Sequence, residues 1–263
     1  MPVLLTIDVG NTNINIGIIK GDSVIGSFRL TTKTPRTSDE YGIVFRNLLE
    51  SSNMEHKDIE AVVISSVVPK IMYSLTSGVK KYMCKDPIIV GPGIRTGIKI
   101  ETDNPREVGA DRIVDITAAY HLYHRNCFIV DFGTATTFDY VDENGVFRNT
   151  VIAPGIGISA TALTSQTAKL PEIEIQKPAS ILARNTITGM QAGVVYGYIG
   201  LVEYILKQMK KELKIKDAYV IATGGLGRII AKETKEIDEY DPDIAYKGMK
   251  ILYELNRDEA KKR

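Results

Sequence analysis

LLTIDVGNTNINIG, Leu4 to Gly17, is the stretch on which the reading of this chain turns. An apolar run, Leu4, Leu5 and Ile7, delivers one carboxylate, Asp8, to a turn made of Gly10, Asn11, Thr12 and Asn13. Apolar residues then resume at Ile14, Ile16 and Ile18. That is the pattern of a β-hairpin with an acid and several hydrogen-bond donors at its tip. Backbone N–H groups and hydroxyls at a tight glycine turn suit an anion, and the carboxylate suits a metal that accompanies it. Asx-rich turns also cap hairpins that bind nothing, so both readings stand on this stretch alone.

The stretch occurs twice. Phe128 to Asp139 reads FIVDFGTATTFD, with Asp131 in the place of Asp8, Gly133 in that of Gly10, and Thr134, Thr136 and Thr137 replacing the Asn/Thr cluster. A second pair recurs in the same order: Ile59 to Ser66, IEAVVISS, matches Ile215 to Thr223, IKDAYVIAT, when Ala61 is set against Ala218. Two echoes in fixed order predict two similar halves, the second longer by roughly 34 residues. Two acids on strand ends beside donor-rich turns suit a nucleotide with its cation; turn-capping aspartates are the plainer alternative.

Composition narrows the class. At 263 residues, 44% apolar and 25% charged, the chain is typical of a globular protein of one large or two modest domains. A net charge of +1 makes no electrostatic case for nucleic acid or an anionic membrane. Cys84 and Cys127 form neither a disulfide framework nor a metal spacing, no apolar run reaches membrane-spanning length, and the start lacks a basic leader. A cytoplasmic protein is expected.

Along the chain, Ser23 to Thr31 reads as a further strand. Thr37 and Glu40 form a capping box opening a helix with a Tyr41, Val44, Phe45, Leu48, Leu49 stripe. Ala61 to Ser65 is apolar on consecutive residues, as a strand covered on both faces should be, and a weaker helix follows over Lys70 to Met83. Pro87 to Val90 is a short strand. In the second half, strands are predicted at 128–139, 146–152 and 219–222, a long helix at 189–213, and a closing helix at 245–256 with Ala245, Met249, Leu252 and Leu255 inward. The tail from Arg257 to Arg263 reads as frayed. Strands first, then alternating helices and parallel strands, indicate α/β, and two such halves would face each other across a cleft at the strand ends.

Other residues bear chemistry. In EVGADR, Glu107 to Arg112, Gly109 allows close approach, Asp111 falls at a helix start where the dipole keeps it ionised, and Arg112 offers a fork for a carboxylate. An N-capping Asp with a surface Arg is the competing reading. Thr223-Gly224-Gly225-Leu226-Gly227 follows a buried strand; its bare glycines admit a ring or phosphate, or simply make a tight turn. Gly155 to Ala160 fits G-x-G-x-x-A, but no strand–helix–strand unit ending in a ribose-binding acid follows it. His121 and His124 lack an acidic third ligand and read as surface residues. No P-loop motif is present.

With these pieces assembled, the chain resembles the type III pantothenate kinases of the actin/Hsp70/sugar-kinase superfamily. DVGNTNI at 8–14, NPREVGADR at 104–112 and DFGTATT at 131–137 are similar to that family's first phosphate, substrate and base, and second phosphate motifs; PGIGIS at 154–159, Leu170-Pro171, Asn185-Thr186 and TGGL at 223–226 follow in order. The resemblance implies two ribonuclease H-like (actin-like ATPase) halves, each a mixed sheet flanked by helices: 1–114, ending in the substrate and base motif, and 115–263, with an extra segment at about 151–189 and an adenosine-side glycine turn. It implies transfer of the γ-phosphoryl of ATP to the primary hydroxyl of pantothenate, the first step towards coenzyme A. Asp8, Val9, Gly10, Asn11, Thr12, Asn13, Ile14, Asn15 and Thr134 would hold the phosphates, and Gly224 and Gly225 the adenosine side. Asp111 would be the general base, with Gly109, Ala110, Arg112 and Thr186 at pantothenate. Asp131 would bind a monovalent cation, K+ or NH4+, and Mg2+ would accompany ATP. A homodimer is implied. Where many relatives carry a tyrosine lining the pantothenate pocket, this chain has Thr102. The alternatives on the same scaffold are a non-catalytic nucleotide-binding regulator and a kinase for another small hydroxy acid.

Overall fold

The computed structural model describes residues 2–260, leaving aside the side chains of 259 and 260. The chain forms two compact units, one of residues 1–122 with 243–263 and one of residues 123–242.

In the first unit, β1 (Val3–Val9), β2 (Asn13–Lys20) and β3 (Ser23–Thr31) form an antiparallel meander; β4 (Ala61–Ser66) and β5 (Ile88–Ile89) then add in parallel, giving the order β3-β2-β1-β4-β5. Side-chain alternation along β1 divides the core. Val3, Leu5, Ile7 and Val9 pack with Val62 and Ile64 under α1 (Ser38–Ser51) and α2 (Pro69–Met83), through Tyr41, Phe45, Leu49, Leu75 and Val79. Leu4 and Val63 face the other way, onto Val114 of α3 (Ala110–Tyr123) and Tyr246, Met249 and Leu252 of the C-terminal helix, residues Ile244–Ala260. The capping box predicted at Thr37 and Glu40 is formed, the Thr37 N–H donating to Glu40 Oε2 at 2.7 Å. A two-residue strand, β6 (Lys99–Ile100), precedes α3.

The second unit repeats the topology. The strands β7 (Cys127–Phe132), β8 (Ala135–Val141) and β9 (Val146–Pro154) make the meander, and β10 (Tyr219–Thr223) and β11 (Glu239–Tyr240) the parallel additions, in the order β9-β8-β7-β10-β11. Its core sets Phe128, Val130 and Phe138 against α4 (Ile156–Ser165), α5 (Thr186–Glu212) and α6 (Gly227–Ala231), through Ile156, Val195, Val202, Leu206 and Ile230. The C-terminal helix is α7 (Ile244–Ala260).

Three details differ from the sequence reading. Strand register pairs Asp8 with Ser65 and Asp131 with Thr223. Ala61 therefore corresponds to Tyr219, not Ala218, and the second echo is aligned one residue further on. In a strand one residue is one face, so this shift decides which side chains join each acid. α7 packs on the first unit's sheet, because Met249 and Leu252 complete the core that Leu4 and Val63 leave open. The tail expected to fray from Arg257 is helical to Ala260; residues 261–263, like Met1, lie outside the described residues. No helix among the described residues is long and apolar enough to cross a membrane.

Candidate active site

Asp8 ends the inner strand of the first unit, and the tip beyond it is a closed turn. The Gly10 N–H donates to the Asn13 carbonyl at 2.9 Å, so that donor is committed to the turn itself. Asn11 and Thr12 are exposed at the tip. Thr32, which sequence reasoning missed, pins this turn from the far strand: its hydroxyl donates to the Gly10 carbonyl at 2.8 Å and its N–H to the Thr12 carbonyl at 3.0 Å. A relay supports Asp8 from the side. Arg29 Nε donates to Asn15 Oδ1 at 3.2 Å, and Asn15 Nδ2 donates to Asp8 Oδ2 at a long 3.4 Å. Val9 and Ile14 point into the core and Asn13 is half-buried, so these three build the turn's frame.

Asp111 opens α3, whose Ala110, Ile113 and Val114 pack on the same face of the sheet that carries Asp8. The backbone N–H of Arg112 donates to Asp111 Oδ1 at 2.8 Å, and Ile113 N–H to the Gly109 carbonyl at 3.1 Å. A Cβ on Gly109 would lie 2.4 Å from Asp111 Oδ1 and 3.2 Å from Val67, which itself bonds through its N–H to the Val9 carbonyl. The absence of a side chain at Gly109 is therefore what lets the 109–112 segment close onto the end of β4. The two acids feel each other: burial first, and then the Asp111 charge, push the Asp8 carboxyl up to about 6, while the Asn15 and Ser65 side chains act the other way. Thr102 is half-buried, and its hydroxyl has no hydrogen-bond partner among the described residues.

In the second unit Asp131 pairs with Thr137 on one side and Thr223 on the other. Gly224, at φ +89°, passes so close that a Cβ would meet Asp131 Oδ1 and the Phe132 carbonyl, each at 2.6 Å; the Tyr240 hydroxyl donates to the Gly224 carbonyl at 2.8 Å. A carboxylate beside backbone carbonyls is an all-oxygen donor set, which fits a hard cation. Thr134 is exposed at the turn, and its carbonyl accepts the Gly155 N–H at 3.1 Å, so the segment resembling a dinucleotide fingerprint instead begins α4 against the second turn. No strand follows α4 before α5, so it is not part of a dinucleotide-binding unit. Thr186 is the exposed first residue of α5, after the N-cap Asn185, and Gly225 is exposed between β10 and α6. Within the first unit the structure brings Asp8 and Asp111 together; within the second it brings together Asp131, Gly224 and, through Gly155, the start of α4. His121 is not a surface residue: it is half-buried, and its Nε2 is 3.0 Å from the Thr96 carbonyl. His124 lies beyond the end of α3.

A family model described as type III pantothenate kinase matches residues 4–208. A type III pantothenate kinase of Agathobacter rectalis is 56% identical over 251 residues, which is 95% of this chain and 96% of that protein. Among solved structures, a conserved putative Baf family transcriptional activator from Campylobacter jejuni aligns with a TM-score of 0.60 at 18% identity, over 97% of this chain and 99% of that one. A putative 2-dehydro-3-deoxygalactonokinase from Sinorhizobium meliloti aligns at 0.55 and 11%, over 95% of each. At such identities the structures speak to fold alone. That fold, two sheets of one repeated topology, is the actin-like, sugar-kinase architecture, and the chain is a kinase built on it. It belongs to the type III pantothenate kinase family.

Proposed function

We propose that this enzyme transfers the γ-phosphoryl of ATP to the primary hydroxyl of pantothenate, giving 4'-phosphopantothenate and ADP, with Asp111 as general base. The observation that carries the mechanism is the seating of Asp111 at the start of α3, on the face of the sheet that bears Asp8 and within its electrostatic reach. Asp111 accepts the hydroxyl proton as the pantothenate oxygen bonds to phosphorus and the β–γ bridging P–O bond breaks. Gly109, Ala110 and Arg112 form the acceptor side, the Arg112 guanidinium being suited to the pantothenate carboxylate. Thr186 is a further residue of the pantothenate site in this reading.

The turn from Asp8 to Asn15 and Thr134 hold the phosphates, and Gly224 and Gly225 admit the adenosine. Asp8 is the acid that would hold Mg2+ bound with ATP, which would neutralise phosphate charge. Asp131 holds the monovalent cation, K+ or NH4+. The retention of Asp8, Asp131 and Asp111 together favours a kinase over a non-catalytic regulator on the same scaffold.

We also take the enzyme to be a homodimer. Gly193, Gly197, Gly200 and Tyr204 fall on one stripe of α5 and are all exposed. The cytoplasm is the expected compartment, where the thiols Cys84 and Cys127 stay reduced. An ATP-consumption assay across pantothenate, pantetheine and sugars tests the substrate: turnover with pantothenate alone is expected, and an equal rate on a sugar would overturn it.

A further inference from the structure

Ser65 is wholly buried at the end of β4, and among the described residues its hydroxyl has no hydrogen-bond partner. A sealed hydroxyl without a partner is costly, and alanine would occupy the same space without that cost. Its place accounts for its presence. The β1–β4 register sets Ser65 directly beside Asp8, on the face that Ala61 and Val63 share with α3 and α7. Asn15 Nδ2 donates to the Asp8 carboxylate at a long 3.4 Å. The second unit repeats the device with another residue: Thr223, 6% exposed, is set beside Asp131 by the β7–β10 register. Each unit thus places a buried hydroxyl on the parallel neighbour of the strand that ends in the acid.

We propose that Ser65 is a positioning residue for the first phosphate turn: its hydroxyl turns onto the Asp8 carboxylate and fixes the orientation in which Asp8 meets magnesium-bound ATP. This rests on the reading that Asp8 acts at the nucleotide phosphates.

The test compares Ser65→Ala, Ser65→Thr, Asp8→Asn and the Ser65→Ala/Asp8→Asn double variant. Melting is measured without ligand and with Mg2+ and a non-hydrolysable ATP analogue, beside steady-state kinetics. Ser65→Ala is expected to melt no lower than the parent without ligand, because a sealed unpartnered hydroxyl is gone. It should lose most of the melting-temperature rise conferred by the magnesium-bound analogue and lower kcat about tenfold at unchanged KM for pantothenate. Ser65→Thr, using the residue of the second unit, should restore both, and Ser65→Ala should add nothing to Asp8→Asn. A Ser65→Ala protein that melts several degrees lower yet keeps the full analogue-induced rise would make Ser65 a packing residue and overturn the proposal. Full additivity with Asp8→Asn would do the same. If Asp8→Asn itself keeps the full rise, the nucleotide role of Asp8 has failed, and the proposal falls with it by a separately visible route.

Discussion

Gly109 passes so close over the Asp111 carboxylate that a Cβ at that position would come within 2.4 Å of Oδ1. The glycine is there for space, since any side chain would push the acid off its seat at the head of α3 or displace Val67. Gly109→Ala is expected to lower kcat/KM for pantothenate about a hundredfold, the scale of an ångström's misplacement at a reacting group. Circular dichroism and melting should stay near the parent's, and an active Gly109→Ala enzyme would refute this account of the motif.

Asp111→Asn keeps the shape and removes the proton acceptor. A loss in kcat of about 10²–10⁴ is expected with ATP-analogue binding retained, measured by single-turnover kinetics and calorimetry. Because the Asp111 charge is one cause of the raised Asp8 pKa, the same substitution should also bring the Asp8 value down, read by carboxyl-carbon NMR.

The raised Asp8 value fixes a pH dependence of stability. Its carboxyl titrates at about 6 in the folded protein against 3.8 for the free group, so between those values the folded state holds the extra proton. The stability that this protonation contributes is complete below about 3.8 and is lost as pH rises through about 6. Asp8→Asn should therefore stabilise the ligand-free protein near pH 8 by on the order of 1–2 kcal/mol, because Asp8 remains partly accessible, and give no gain near pH 4. Denaturant titrations at the two pH values check it, and the same variant should be inactive.

At the second turn, Asp131→Asn should abolish the preference for potassium. Equal parental rates in sodium and potassium buffers would count against Asp131 as the cation residue. Gly224→Ala puts a side chain at φ +89° against Asp131 and the Phe132 carbonyl, so a destabilisation of about 1–3 kcal/mol is expected along with the loss of activity.

Thr32→Val releases the pin on the first turn while keeping the volume. Losing the bond to the Gly10 carbonyl should cost about 1 kcal/mol of stability and raise the KM for ATP several-fold, with the KM for pantothenate little changed.

Much of this protein was legible in the chain itself. The recurrence of an apolar run, an aspartate, a glycine and short polar residues at Asp8 and Asp131 announced two halves, and β1–β5 and β7–β11 run in the same relative order. The Thr37–Glu40 capping box placed the start of α1, and the apolar stripe behind it gave the buried face. Those signals are local: strand alternation, helical period and turn chemistry are carried by residues a few positions apart. Tertiary structure decided the rest. Only strand register put Ser65 beside Asp8, and a one-residue slip in matching Ala61 to Ala218 concealed the parallel with Thr223. The docking of α3 brought Asp111 within reach of Asp8, and the apolar face of α7 returned the chain's end to the sheet where it began. Thr32 became part of the site only because β3 folds back on the turn. Each of these depends on contacts between residues distant in sequence, whose pairing is chosen by the burial of the whole core and is written in no single window of the chain.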